Sequence, residues 1–105
     1  MNIPSKVKVA GYEYTVERPQ TSFLEGCDAL DGFHNSYNQT IKVAQVGSED
    51  YQNTVFLHEV LHAILFAYTP NKQDEDLVEQ IAKGLFQFIK DNPEIFSDCK
   101  EGEQK

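Results

Sequence analysis

Val55-Phe56-Leu57-His58-Glu59-Val60-Leu61-His62-Ala63-Ile64-Leu65-Phe66-Ala67 decides how this chain of 105 residues is read. Ten of these thirteen residues are apolar. They fall on every side of a helix, and a helix apolar all round is expected to be buried. The exceptions are His58, Glu59 and His62. At about 100° per residue, His62 lies about 40° and Glu59 about 100° round from His58, so the three share one arc. Burying three such side chains costs several kcal/mol unless they pair with one another or bind something.

A zinc ion suits this spacing. His residues at i and i+4 project from one face a turn apart, so two imidazole nitrogens reach one ion. Glu at i+1 points beside the ion, where it can take a proton from a water molecule that the ion acidifies. This is the H-E-x-x-H arrangement of zinc metallopeptidases, with His58 and His62 as metal ligands and Glu59 as the catalytic base. With 3 His and 10 Glu in the chain, chance yields such a pattern in roughly one chain in a hundred. The apolar helix around the motif separates it from a chance match, which would sit on a polar surface. The competing reading is a core His pair, with Glu59 on a backbone donor or a lysine.

A catalytic zinc needs a third protein ligand and an open position. A third His six residues after the second, with Gly between, is excluded, because Tyr68 and Leu65 stand at those places. The remaining His, His34, belongs to another part of the chain. Carboxylates follow the turn at Pro70, at Asp74, Glu75, Asp76 and Glu79, and a short turn makes the flanking helices antiparallel neighbours. Glu79, a turn inside the second helix on the shoulder of its apolar stripe, is the first choice. Glu75, on the same shoulder, is the second. Asp74 and Asp76 suit the positive N-terminal end of the helix dipole.

Working outward, Ser48 is the expected N-cap of a helix from about Glu49 to Tyr68 that stops before Pro70. A second helix should run from Asp74-Glu75-Asp76 to about Asp91, with Val78, Ile81, Ala82, Leu85, Phe88 and Ile89 on one face. Pro93 to Phe96 reads as one further short turn of helix, with Pro at its start. Upstream, Val7 and Val9 alternate with lysines, and Tyr12, Tyr14 and Val16 with polar residues. That period of two predicts a hairpin about Ala10-Gly11. Residues 20–32 read as a loop or a helical turn, ending in the turn signal Asp31-Gly32. Phe33 to Ser36 and Thr40 to Val43 should form a second hairpin about Tyr37-Asn38-Gln39. The expected fold is α+β: a small N-terminal antiparallel sheet of two hairpins, packed on the buried motif helix and a second antiparallel helix. One domain over residues 1–100 and a polar tail, 101–105, account for the chain.

The 17 acidic and 9 basic residues give a net charge of −8, which argues against a nucleic-acid binder. No apolar run reaches the roughly 18 residues of a membrane span, and no signal-peptide core follows Met1. The expected location is the cytoplasm, where Cys27 and Cys99 would be reduced thiols without a role. Phe86 and Phe88 read as core, and Tyr68 as helix-end packing. Tyr37 and His34 are candidates for the donor that a developing oxyanion requires, and a β edge near the motif helix could hold an extended peptide.

Gly32-Phe33, then Asn38-Gln39-Thr40-Ile41-Lys42-Val43, then Thr54 to His62, then Glu79-Gln80-Ile81-Ala82-Lys83-Gly84-Leu85, together resemble the ImmA/IrrE-like metallopeptidase family over about residues 6–92. The likeness is to its short stand-alone members from phages and prophages. It implies a minimal zincin-like domain with a gluzincin-type site: His58, His62 and Glu79 on Zn2+, and Glu59 as base. It also implies a protein or peptide substrate such as a phage repressor, cleaved at a peptide bond. The alternative is a non-catalytic zinc-binding interaction domain of the same origin.

Overall fold

The computed structural model describes residues 2–69 and 71–97. The expected tail and Cys99 lie outside that range. Lys6–Val9 (β1) and Tyr12–Glu17 (β2) form the first hairpin, with Val9 opposite Tyr12. Both turn residues take positive φ, 53° at Ala10 and 85° at Gly11. That matches a two-residue turn whose twist suits the strands it joins. Tyr14 and Val16 point into the core while Glu13, Thr15 and Glu17 face out, as their alternation requires.

Phe23–Glu25 (β3) and Asp28–Leu30 (β4) pair antiparallel about Gly26, whose φ is 66°. The segment expected as a loop or helical turn is therefore a small separate hairpin. Gly32–Asn35 (β5) and Thr40–Val43 (β6) form the other expected hairpin. Its turn is fastened by Asn35 Oδ1, which accepts from the backbone N–H groups of Tyr37 and Asn38 at 2.9 and 3.3 Å.

The sheet order is β1-β2-β6-β5. It is not wholly antiparallel: β2 runs parallel to β6, with Val16 beside Ile41. Parallel neighbours need a long crossover, and the stretch from Arg18 to Gln39 supplies it. β5 thus becomes an edge strand. The Ala44 N–H donates to the Asp31 carbonyl at 2.8 Å. Antiparallel bonding alternates along a strand, so the main-chain groups of Gly32 and His34 face the open edge.

Glu49–Tyr68 (α1) begins at Ser48, whose Oγ accepts from the Tyr51 N–H at 3.0 Å. It lies across the sheet, where Phe56 and Ala63 join Val9, Tyr14, Val16, Ile41 and Val43 in one core. The expectation that α1 is buried all round is corrected. Ile64 and Phe66 are partly exposed, and Tyr68 is 70% exposed, so it does little end packing. The sheet and one neighbouring helix cover only two sides of α1.

That neighbour is Glu75–Asp91 (α2), capped by Asp74, whose carboxylate accepts from the Leu77 N–H at 3.1 Å. Val78 and Ala82 are buried. Lys90 Nζ meets Asp50 at 2.8 Å, tying the end of α2 to the start of α1 and fixing the antiparallel sense. Pro93–Ser97 (α3) is the short helix expected there. Among the described residues, no helix is long and apolar enough to cross a membrane.

Candidate metal centre

Helical spacing brings His58 and His62 together on α1, as their sequence separation requires. Their Nε2 atoms lie 3.2 Å apart. Glu75, in the first turn of α2, faces both: one carboxylate oxygen is 3.0 Å from His58 Nε2 and the other 2.8 Å from His62 Nε2. Among the described residues, His58, His62 and Glu75 are the group whose donor atoms all lie within 4.8 Å of one another.

Glu79 is not in that triangle. Its Oε1 lies 2.7 Å from Nδ1 of His58, on the side of the ring facing away from it. The second carboxylate choice of the sequence thus stands beside both Nε2 atoms, and the first stands behind one ring. Burial pushes the Glu79 carboxyl up, but hydrogen bonds from His58 and Lys83 outweigh this and hold it below its ordinary range. An ionised Glu79 accepts a hydrogen bond from His58 Nδ1–H. Gln73 does the same for His62. Its Oε1 lies 2.6 Å from His62 Nδ1, and its amide nitrogen donates to the His62 carbonyl at 3.3 Å.

With the Nδ1 atoms serving as donors, neutral rings present lone pairs at both Nε2 atoms. Two lone pairs and a carboxylate then converge with nothing but acceptors between them. A divalent cation meets that electrostatic demand. A tetrahedral zinc with donors at about 2.0–2.1 Å requires donor separations of roughly 3.3 Å. The 3.2 Å between the two Nε2 atoms is close to this, and the 3.0 and 2.8 Å contacts run from them to different oxygens of Glu75. The His side chains are 15% and 12% exposed and that of Glu75 is 72% exposed, so the open side of the triangle faces solvent.

Glu59 follows His58 on α1 and is 9% exposed. No described residue gives it a hydrogen bond or an ion pair, and its carboxylate oxygens keep contact with solvent in the cleft. Burial raises its pKa from 4.5 to about 7; the neighbouring His58 lowers it, and Glu75 and Glu79 raise it further. Gly32 makes room for it. A Cβ there would lie 2.7 Å from Glu59 Oε2 and 2.6 Å from Val55 Cγ1. The sequence marked Gly32 as a turn residue and as part of the family resemblance, not as space for Glu59, and Gln73 carried no signal at all.

These groups line a cleft of about 540 Å³ between α1, the start of α2 and the β5 edge. His34 also lines it and stacks on His62, with ring centroids 6.4 Å apart. Its Nε2 is 2.5 Å from Ser36 Oγ, which is 3.0 Å from the Tyr14 hydroxyl. Burial and then the neighbouring His62 lower the His34 pKa, favouring a neutral ring. Tyr37 is 89% exposed, packs on Phe66 and does not line the cleft. At the cleft wall, Asp31 accepts from Ser22 and from the Tyr51 hydroxyl at 2.5 and 2.6 Å. Comparison with protein families, with characterised proteins and with solved structures finds no match to this chain.

Proposed function

We propose that this protein is a zinc-dependent peptidase whose metal is held by His58, His62 and Glu75. The observation that carries the reading is the meeting of both Nε2 atoms with the Glu75 carboxylate, beside a buried carboxylate without a partner. Two imidazoles and one carboxylate form a donor set used by catalytic zinc sites, which keep a further position open. Glu79 and Gln73 orient the two rings through their Nδ1 atoms. Bound zinc would polarise a scissile carbonyl and lower the pKa of water.

Glu59 is the base in this scheme. It would take a proton from the attacking water and return it to the leaving amine. The outward main-chain groups of Gly32 and His34 are placed to receive an extended peptide alongside the cleft. His34, kept neutral and fixed by Ser36, is the side chain best placed to donate toward a developing oxyanion. A phage repressor is the substrate that the family resemblance favours.

The test uses protein purified without added zinc, assayed for bound metal and then for cleavage of a peptide library with zinc present. Glu59→Gln should keep the metal and the fold and lose cleavage. Zinc binding without cleavage by the wild-type protein would favour the interaction-domain reading. A protein that takes up no zinc would sink both.

A further inference from the structure

The fold treats the two ring nitrogens of His34 differently. The ring itself is held on three sides. It stacks on His62 at an interplanar angle of 8°, Phe66 meets its edge at a centroid distance of 6.2 Å, and Tyr14 tilts against it at 6.1 Å. Close packing of this kind leaves a ring little freedom to turn. One nitrogen, Nε2, is 2.5 Å from Ser36 Oγ. The other, Nδ1, has no hydrogen-bond partner among the described residues and keeps contact with solvent, and the concavity that His34 lines is the metal cleft.

Ser36 is itself held from behind. Its Oγ is 3.0 Å from the hydroxyl of Tyr14, a residue of β2 that is 4% exposed. Tyr14, Ser36 and His34 thus form a chain, and hydroxyls both donate and accept, so the chain has two possible senses. In one, His34 donates from Nε2 and Ser36 donates to the Tyr14 oxygen. The Tyr14 proton then needs another acceptor, and no described residue hydrogen-bonds that hydroxyl besides Ser36. In the other, Tyr14 donates to Ser36, Ser36 donates to Nε2, and every proton has a place. A phenol is also more acidic than an aliphatic alcohol, which makes Tyr14 the better donor of the two. Bonds chained in one sense strengthen each other. This second sense leaves the proton of a neutral His34 on Nδ1.

We propose that the chain from Tyr14 through Ser36 fixes His34 as its Nδ1–H tautomer, so that a buried hydroxyl on β2 aims a hydrogen-bond donor into the cleft. Tyr14 and Ser36 are positioning residues. Neither lines the cleft, and both act through His34. The use of that donor rests on the peptidase reading, in which it meets the oxyanion formed from the scissile carbonyl. The tautomer does not.

The two parts are therefore measured separately. Long-range nitrogen–proton NMR correlations, recorded on the full chain at mildly alkaline pH with and without zinc and assigned with His34→Asn, show which nitrogen carries the proton. The expected result is Nδ1–H in the wild-type protein. Ser36→Ala should turn the ring to Nε2–H, the form that free histidine prefers in water. Tyr14→Phe, which keeps the core ring, should give a mixture, and Ser36→Thr, which keeps the hydroxyl, should restore Nδ1–H. A wild-type ring protonated at Nε2 or at both nitrogens, or a tautomer indifferent to Ser36→Ala, would overturn the proposal. On a peptide that the wild-type protein cleaves, Ser36→Ala and Tyr14→Phe should lower kcat about tenfold, with KM and zinc affinity unchanged. Neither should cost anything more in a His34→Ala background, since residues that work through one group are not additive. A further loss there would also overturn the chain. The expected tautomers in a protein that cleaves no peptide would sink the peptidase reading and leave the chain standing.

Discussion

Glu79 Oε1 lies 2.7 Å from Nδ1 of His58, on the ring nitrogen turned away from His62 and Glu75. A carboxylate there fixes the tautomer and raises the basicity of the other nitrogen. Removing such a partner usually weakens metal binding about 10–100-fold. Glu79→Ala should fall in that range, and Glu75→Ala should lose more, because it removes a ligand. Competition against a chelator of known zinc affinity gives both numbers. The reverse order would return Glu79 to the ligand role.

The buried Glu59 makes metal-free stability depend on pH. Its folded pKa of about 7 is raised from 4.5. Between those values the folded state keeps a proton that the unfolded state has lost. Stability is therefore full below about pH 4.5 and declines as pH rises through 7, by up to about 3 kcal/mol. Glu59→Gln should remove this decline. Urea melts of both proteins from pH 4.5 to 8 measure it, and parallel profiles would contradict the assignment.

Zinc at about a hundred times its Kd should add about 2.7 kcal/mol to folding. For a domain of this size, that moves Tm upward by roughly 10 °C or more. Calorimetry with and without zinc should show the rise in the wild-type protein and in Glu59→Gln. It should be absent in the doubly substituted protein His58→Ala, His62→Ala.

Gly32→Ala places a methyl group 2.6 Å from Val55 Cγ1 and 2.7 Å from Glu59 Oε2. Val55 is fixed in a helix packed on the sheet, so β5 and α1 must part slightly. Overpacking of this kind costs about 1–3 kcal/mol. Thermal melts should show the loss in the metal-free protein as well, which separates it from any effect on zinc.

Much of this architecture is written locally. The caps at Ser48 and Asp74, the Ala10-Gly11 turn and the helix stop before Pro70 each depend on one or two residues and their neighbours. So does the pairing of His58 with His62, because both sit on one helix. The parallel pairing of β2 with β6 was not legible, since it joins strands more than twenty residues apart and has no turn to announce it. The β3–β4 hairpin was missed because Phe23-Leu24-Glu25 is too short to show a period. The carboxylate roles failed to resolve for a geometric reason. Glu75 and Glu79 lie one turn apart on the same shoulder of α2, and only its axial offset against α1 decides which meets the Nε2 atoms. Gln73 precedes α2, outside any pattern that periodicity can reveal.

Gln73, Glu75 and Glu79 lie at or just before the opening of α2, whereas at the far end of that helix one ion pair to α1, Lys90 with Asp50, is found among the described residues. An ion between the helices would act as a clasp at one end of the pair. It would raise the cost of peeling α2 away far more than the cost of fraying α1, which the sheet already holds. Metal loading would then set the order in which the protein comes apart: without it, the second helix unbuttons first, and the core strands follow only at global unfolding.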